Sequence, residues 1–124
     1  MSITIADLTT MAAGATAWAM AIPAVKIAGN GVATGSDTNK GLALLVGIGI
    51  AYATTPLLSL VLGWKTASEK VRGVALALGT AQTIDGLVHL FYPSFYHENP
   101  TVGLGCAGNI FYGAGLLGIF SAYQ

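Results

Sequence analysis

A chain of 124 residues with five basic and five acidic side chains, 54% hydrophobic residues and only 8% charged ones lies far from the soluble average, in which about a quarter of residues are charged. The cancelled charge and the lack of any basic block exclude nucleic acid as a partner, because no row of Lys or Arg exists to displace counterions. One cysteine, Cys106, excludes an intramolecular disulfide, and no CxxC, HExxH, P-loop or Rossmann pattern supports an ordinary soluble enzyme.

Four apolar stretches, residues 8–28, 41–63, 71–92 and 102–123, reach spanning length, since a helix rising 1.5 Å per residue needs about 20 residues to cross roughly 30 Å of hydrocarbon. The dyad alternation of a transmembrane β-barrel is absent. The expected fold is therefore all-α: an integral-membrane four-helix bundle with short loops, a single domain over residues 1–124, and both termini on the same side.

The first stretch carries a row of small residues at four-residue spacing, Ala13, Ala17 and Ala21, and places Trp18 at mid-span, where its indole N–H requires a hydrogen-bond partner or a polar cavity. Pro23 and then Lys26 mark its outer end. The stretch has no Lys or Arg ahead of it and runs past the length of a signal-peptide core, so a cleaved signal is not expected. Turn chemistry follows in Gly29-Asn30-Gly31 and Thr34-Gly35-Ser36-Asp37. The second stretch repeats the small-residue spacing at Gly47 and Ala51, and Thr54-Thr55-Pro56 reads as a kink in which proline removes one backbone bond and hydroxyls supply others.

The link around Lys65 and Lys70, with Arg72 just beyond it, holds the largest share of positive charge. By the positive-inside rule this loop and both termini lie in the cytoplasm or its equivalent. In the third stretch Gly73, Ala77, Ala81, Asp85 and His89 follow at four-residue steps, with Gln82 three residues before Asp85, so all of them lie along one face. The segment bounded by Pro93 and Pro100 forms the last bend, with Tyr92, Phe95 and Tyr96 as interfacial anchors. Six of the seventeen glycines fall in the fourth stretch, where Gly105, Asn109 and Gly113 form one small or polar row and Ala114 and Gly118 another. In lipid such rows let helix backbones approach closely.

Ionisable residues within a span are costly and normally face protein or a water-filled cavity. Asp85 precedes Pro93 by eight residues and Asn109 follows Pro100 by nine, so antiparallel pairing puts both about 10 to 13 Å from one membrane face. This makes Asn109 the expected partner of Asp85, and Lys26 a candidate to neutralise it. Gln82, Asp85, His89, Asn109 and Lys26 are thus the candidate polar cluster. It admits several chemistries. Asp85 and His89 suit a proton relay. His89 suits axial ligation of haem or chlorophyll, with Asp85 orienting the ring. The same two residues could serve as acid and base in a lipid-transforming enzyme. The competing reading is a hydrogen-bonded knot that only glues helices together. No metal site is expected, because His97 and Glu98 lie beyond Pro93 with nothing to fix their geometry.

Thr55-Pro56, Asp85-Gly86 and Phe91-Tyr92-Pro93 resemble motifs of a group of small four-helix membrane proteins. That resemblance implies a four-span topology over the part of the chain from the second helix onward, without an assigned activity. The residues themselves lead to a non-catalytic accessory or assembly subunit of a larger membrane complex, with membrane lipids and other membrane subunits as partners and bound lipid in the grooves. A small transporter, channel or proton-handling protein is the rival reading. A bacterial inner membrane and an organellar membrane suit the sequence equally.

Overall fold

A computed structural model describes residues 3–123, with the side chains of Ala28, Val32, Ala33, Asn109, Ala122 and Tyr123 outside the description. Four helices account for nearly all of it: α1 (Ile5–Thr34), α2 (Asp37–Leu62), α3 (Ala67–Phe91) and α4 (Pro100–Tyr123). All four are long and apolar enough to cross a membrane by length and composition.

Side-chain caps set the starts and lengthen the helices beyond their apolar stretches. Thr4 accepts from the Asp7 amide and Asp7 answers on the Thr4 amide, a reciprocal capping box that starts α1 in the polar residues ahead of the apolar run. Thr66 and Glu69 repeat it at α3, and Ser36 caps α2 through the Asn39 amide. Asn99 accepts from the Thr101 amide with Pro100 as the first residue of α4, where the missing proline N–H costs nothing. α2 ends at Gly63, whose φ of 72° is the left-handed conformation that favours glycine.

Contrary to its turn-like composition, Gly29-Asn30-Gly31 remains helical, and α1 continues to Thr34. The reason is tertiary: a methyl on Gly29 would run into the side chain and backbone of Cys106, so this segment is held against α4 and local turn preference yields. Only Gly35 and Ser36 separate α1 from α2.

α1 packs most extensively, against α3 on one side and α4 on the other; α2 lies mainly on α4, and α2 and α3 scarcely touch. α1 and α3 run parallel, as shown by three levels of contact. Arg72 forks onto the Asp7 carboxylate at 2.8 and 3.2 Å, Gly14 abuts the Ala77 backbone, and Trp18 reaches Asp85. α2 and α4 are likewise parallel, with the Tyr112 hydroxyl donating to the Leu44 carbonyl at 2.9 Å and Tyr52 meeting Phe120 edge-on. At the α2 kink, the hydroxyls of Thr54 and Thr55 donate to the carbonyls of Ile50 and Ala51. They thus reach one and two residues short of Tyr52, the carbonyl whose usual helical donor Pro56 lacks.

The outside is apolar. Met20, Ile27, Leu60, Val61, Leu90 and Leu104 are each more than three-quarters exposed, whereas Asp7, Thr55, Ser59 and Asp85 are buried. That inversion of the soluble pattern is compatible with a lipid surround and a multi-pass membrane protein.

Candidate functional site

Asp85 is 3% exposed and stands on the face of α3 that meets α1 and the segment leading to α4. Two donors converge on its Oδ1: the Tyr96 hydroxyl and the Trp18 indole Nε1 at 3.1 Å. The same Nε1 lies 3.2 Å from the Tyr96 oxygen, so the phenol donates to the carboxylate while accepting from the indole. On the other side His89 Nδ1 lies 3.3 Å from Oδ2 and 2.9 Å from the Asp85 main-chain carbonyl. A carbonyl oxygen can only accept, so Nδ1 carries a proton and donates it to the main-chain carbonyl.

Stacked rings close the cluster. The His89 imidazole lies over Tyr96 at 4.9 Å between centroids, Phe95 meets Tyr96 edge-on, and Trp18 is stacked against Phe95 at 6.3 Å. Tyr96 also joins Val102 and Cys106 in a buried hydrophobic cluster, with Ile22, Val25, Val88 and Ile110 packed around it. Burial and, after it, the adjacent Asp85 carboxylate hold the Tyr96 phenol well above its ordinary pKa.

The structure places His89 against Asp85, and the remaining contacts of the carboxylate come from Tyr96 and Trp18. Tyr96, read as an interfacial anchor, is 4% exposed and folds back to donate to Asp85. Its place could not be found by periodicity, because it lies beyond the helix end at Phe91, where the four-residue repeat no longer applies. Trp18 and its requirement for an acceptor were the available signal. Lys26 is not on Asp85: its Nζ sits 4.9 Å above the Phe95 ring, a cation–π contact that leaves the ammonium beside an aromatic face. Gln82 has no hydrogen bond to Asp85 and lines an apolar groove one turn away. The proposed Asn109 partnership concerns a side chain outside the described residues.

His89 Nε2 is covered by protein atoms and has no hydrogen-bond partner among the described residues. Its orientation by Asp85 suits an axial ligand. Its enclosure does not suit a macrocycle, since a metal could reach the nitrogen only after the covering side chains move. Among the described residues no group of three or more His, Cys, Asp and Glu could hold a metal ion.

The groove beside the cluster has a volume of about 580 Å³ and takes residues from all four helices, among them Trp18, Ile50, Gln82 and Leu117, with Tyr96 added from the bend. A second hollow of about 530 Å³ lies at the opposite end of α1, next to the Asp7–Arg72 pair, Glu69 and Trp64. Comparisons with protein-family models, curated proteins and solved structures gave no match, so the chemistry of these sites has to be read from their own atoms.

Proposed function

We propose that this protein is a multi-pass membrane protein acting as a non-catalytic accessory or assembly subunit of a larger membrane complex. The observation that carries this reading is where its glycines point. Gly14 and Gly29 are indispensable inside, because a methyl at either would strike Ala77 or Cys106. By contrast Gly79 and Gly86 on α3, and Gly108, Gly115 and Gly118 on α4, are exposed, and a methyl at each would meet nothing within 4 Å among the described residues. Among the described residues glycine there makes no close packing contact, and it costs up to about 1 kcal/mol per position in helix propensity. Its recognised use in lipid is to let another helix approach.

The polar cluster agrees with such a role, since its donors and acceptors largely satisfy one another and serve to fix α1, α3 and the following bend. Extraction in mild detergent followed by native mass measurement tests the proposal. Co-migration with a larger, stoichiometric assembly is expected, together with release of this subunit by Gly115→Leu at unchanged helix content. A chain that runs only as its own monomer or oligomer would sink it.

A second reading, proton handling, is favoured by one observation: the Tyr96 phenol, the Asp85 carboxylate and the His89 imidazole adjoin one another in a row that ends at the unpartnered Nε2. Proton flux in liposomes that Asp85→Asn abolishes would support it. Equal flux in the variant would remove it.

A further inference from the structure

The groove beside the cluster combines three features that together define a ligand. Its lining includes no Asp, Glu, Lys, Arg or His, so nothing in it neutralises a charged headgroup. It contains Gln82, whose amide has no hydrogen-bond partner among the described residues. And it is bordered by Val46, Ile50 and Thr54 of α2 and by Leu78, Ala81 and Gln82 of α3, two helices that scarcely touch each other, so the space between them is a lateral opening.

A primary amide facing apolar walls at membrane depth is expensive, at several kcal/mol when no partner replaces water. Gln82 lies nine residues before the end of α3, about 13 Å along the helix at 1.5 Å per residue. Headgroup and ester oxygens of a phospholipid stay at the interface, too far away to serve it. The partner must be an uncharged molecule that carries a small polar group into the hydrocarbon on an otherwise apolar body. A volume of about 580 Å³ falls in the usual range of small-molecule sites, about 300–1,000 Å³, which are mostly apolar with a few placed polar groups.

We propose that this groove binds a neutral carbonyl-bearing lipid of the quinone type, which enters between α2 and α3 and accepts a hydrogen bond from the Gln82 amide. The amide can also accept from a hydroxyl through its own carbonyl, so the reduced, hydroxyl form of such a molecule satisfies it equally. This site goes beyond the accessory role and does not rest on it.

Trp18 lines the groove and reports occupancy. With Trp64→Phe as background, Trp18 is the sole tryptophan, and decylubiquinone is titrated into the detergent-solubilised full chain while its fluorescence is followed. Saturable quenching is expected, with Gln82→Leu weakening apparent affinity about tenfold, the equivalent of one lost hydrogen bond of roughly 1.4 kcal/mol. Ala81→Phe, which fills the groove and keeps the amide, should abolish saturation while the melting midpoint stays within that of a folded protein. Decylbenzene, with the same chain and no carbonyl, should compete poorly. Linear quenching without saturation, equal affinity in Gln82→Leu, or equal competition by decylbenzene would each overturn the proposal. Should Gln82→Leu fail to fold, the Ala81→Phe and decylbenzene arms still decide.

Discussion

The hydroxyl of Tyr96 donates to the carboxylate of Asp85 across the junction between α3 and the bend that leads to α4. The bond joins residues eleven apart in sequence, and through Trp18 it also ties in α1. Tyr96→Phe removes the donor and leaves a buried carboxylate oxygen short of one partner, which should cost about 1–3 kcal/mol. Thermal unfolding in detergent reads this directly. Asp85→Ala should cost more than Tyr96→Phe, since it strands the indole and the phenol at once. A double-mutant cycle between Tyr96→Phe and Trp18→Phe should show coupling, because both donors share one oxygen. Additive effects would mean that the three residues are merely neighbours.

The raised pKa of Tyr96 gives that bond a pH signature. Burial first and the carboxylate second favour the protonated phenol in the folded state, so the folded protein holds this proton more tightly than the unfolded chain does. Stability from this source is complete below the ordinary phenol value of about 10 and is lost as pH rises from there towards the folded value. Alkaline titration followed by tyrosinate absorption should show a component that ionises above the ordinary phenol range, and that late component should vanish in Tyr96→Phe. A titration with the same late component in the variant would place the perturbed phenol elsewhere.

Inward and outward glycines should respond oppositely to one methyl group. At Gly14 an alanine would collide with the Ala77 carbonyl and Cα, both backbone atoms that cannot swing away. Overpacking of that kind costs about 1–3 kcal/mol, more than the gain of up to about 1 kcal/mol in helix propensity. At Gly115 nothing among the described residues obstructs the methyl, so Gly115→Ala should leave the isolated chain unchanged or slightly more stable. Melting midpoints of the two purified variants check this. Equal destabilisation would contradict the parallel contact of α1 with α3.

Much of this arrangement was legible because the physics that sets it is local. Uninterrupted apolar length gives four helices, and the cost of an unpaired indole or carboxylate requires that Trp18 and Asp85 find partners. The sequence could not say that they find each other, since that depends on how far α1 slides along α3. That register is fixed by Gly14 against Ala77 and by the fork of Arg72 on Asp7. Tyr96 was misplaced for a related reason. An aromatic next to a proline bend has the composition of an interfacial anchor, and only the tertiary path of the bend turns it inward. Lys26, near the same membrane face as Asp85, could snorkel outward or turn inward to the carboxylate by its position in the sequence; it lies over the Phe95 ring. The reach of α1 through Gly29-Asn30-Gly31 shows packing against Cys106 outweighing turn preference.

Orientation offers the remaining test. Asp7 pairs with Arg72, which places the start of α1 at the same end as the α2–α3 connection, where Lys65, Lys70 and Arg72 are gathered. The opposite end holds the bend with Phe95 and Tyr96, and Lys26 on Phe95. If the positive-inside rule governs insertion, the Lys65 end faces the cytoplasm or its equivalent. In a Cys106→Ala background, a cysteine at Ser68 should resist a membrane-impermeant maleimide applied to intact cells, and one at Ser94, in the exposed bend, should react. Both should react once the membrane is opened. Because few charges are involved, Lys65→Gln with Lys70→Gln should reduce the bias and produce a mixed labelling pattern. If Ser68 were labelled from outside in the otherwise unaltered chain, the charge argument would fail while the Asp7–Arg72 contact, which is internal to the fold, would stand.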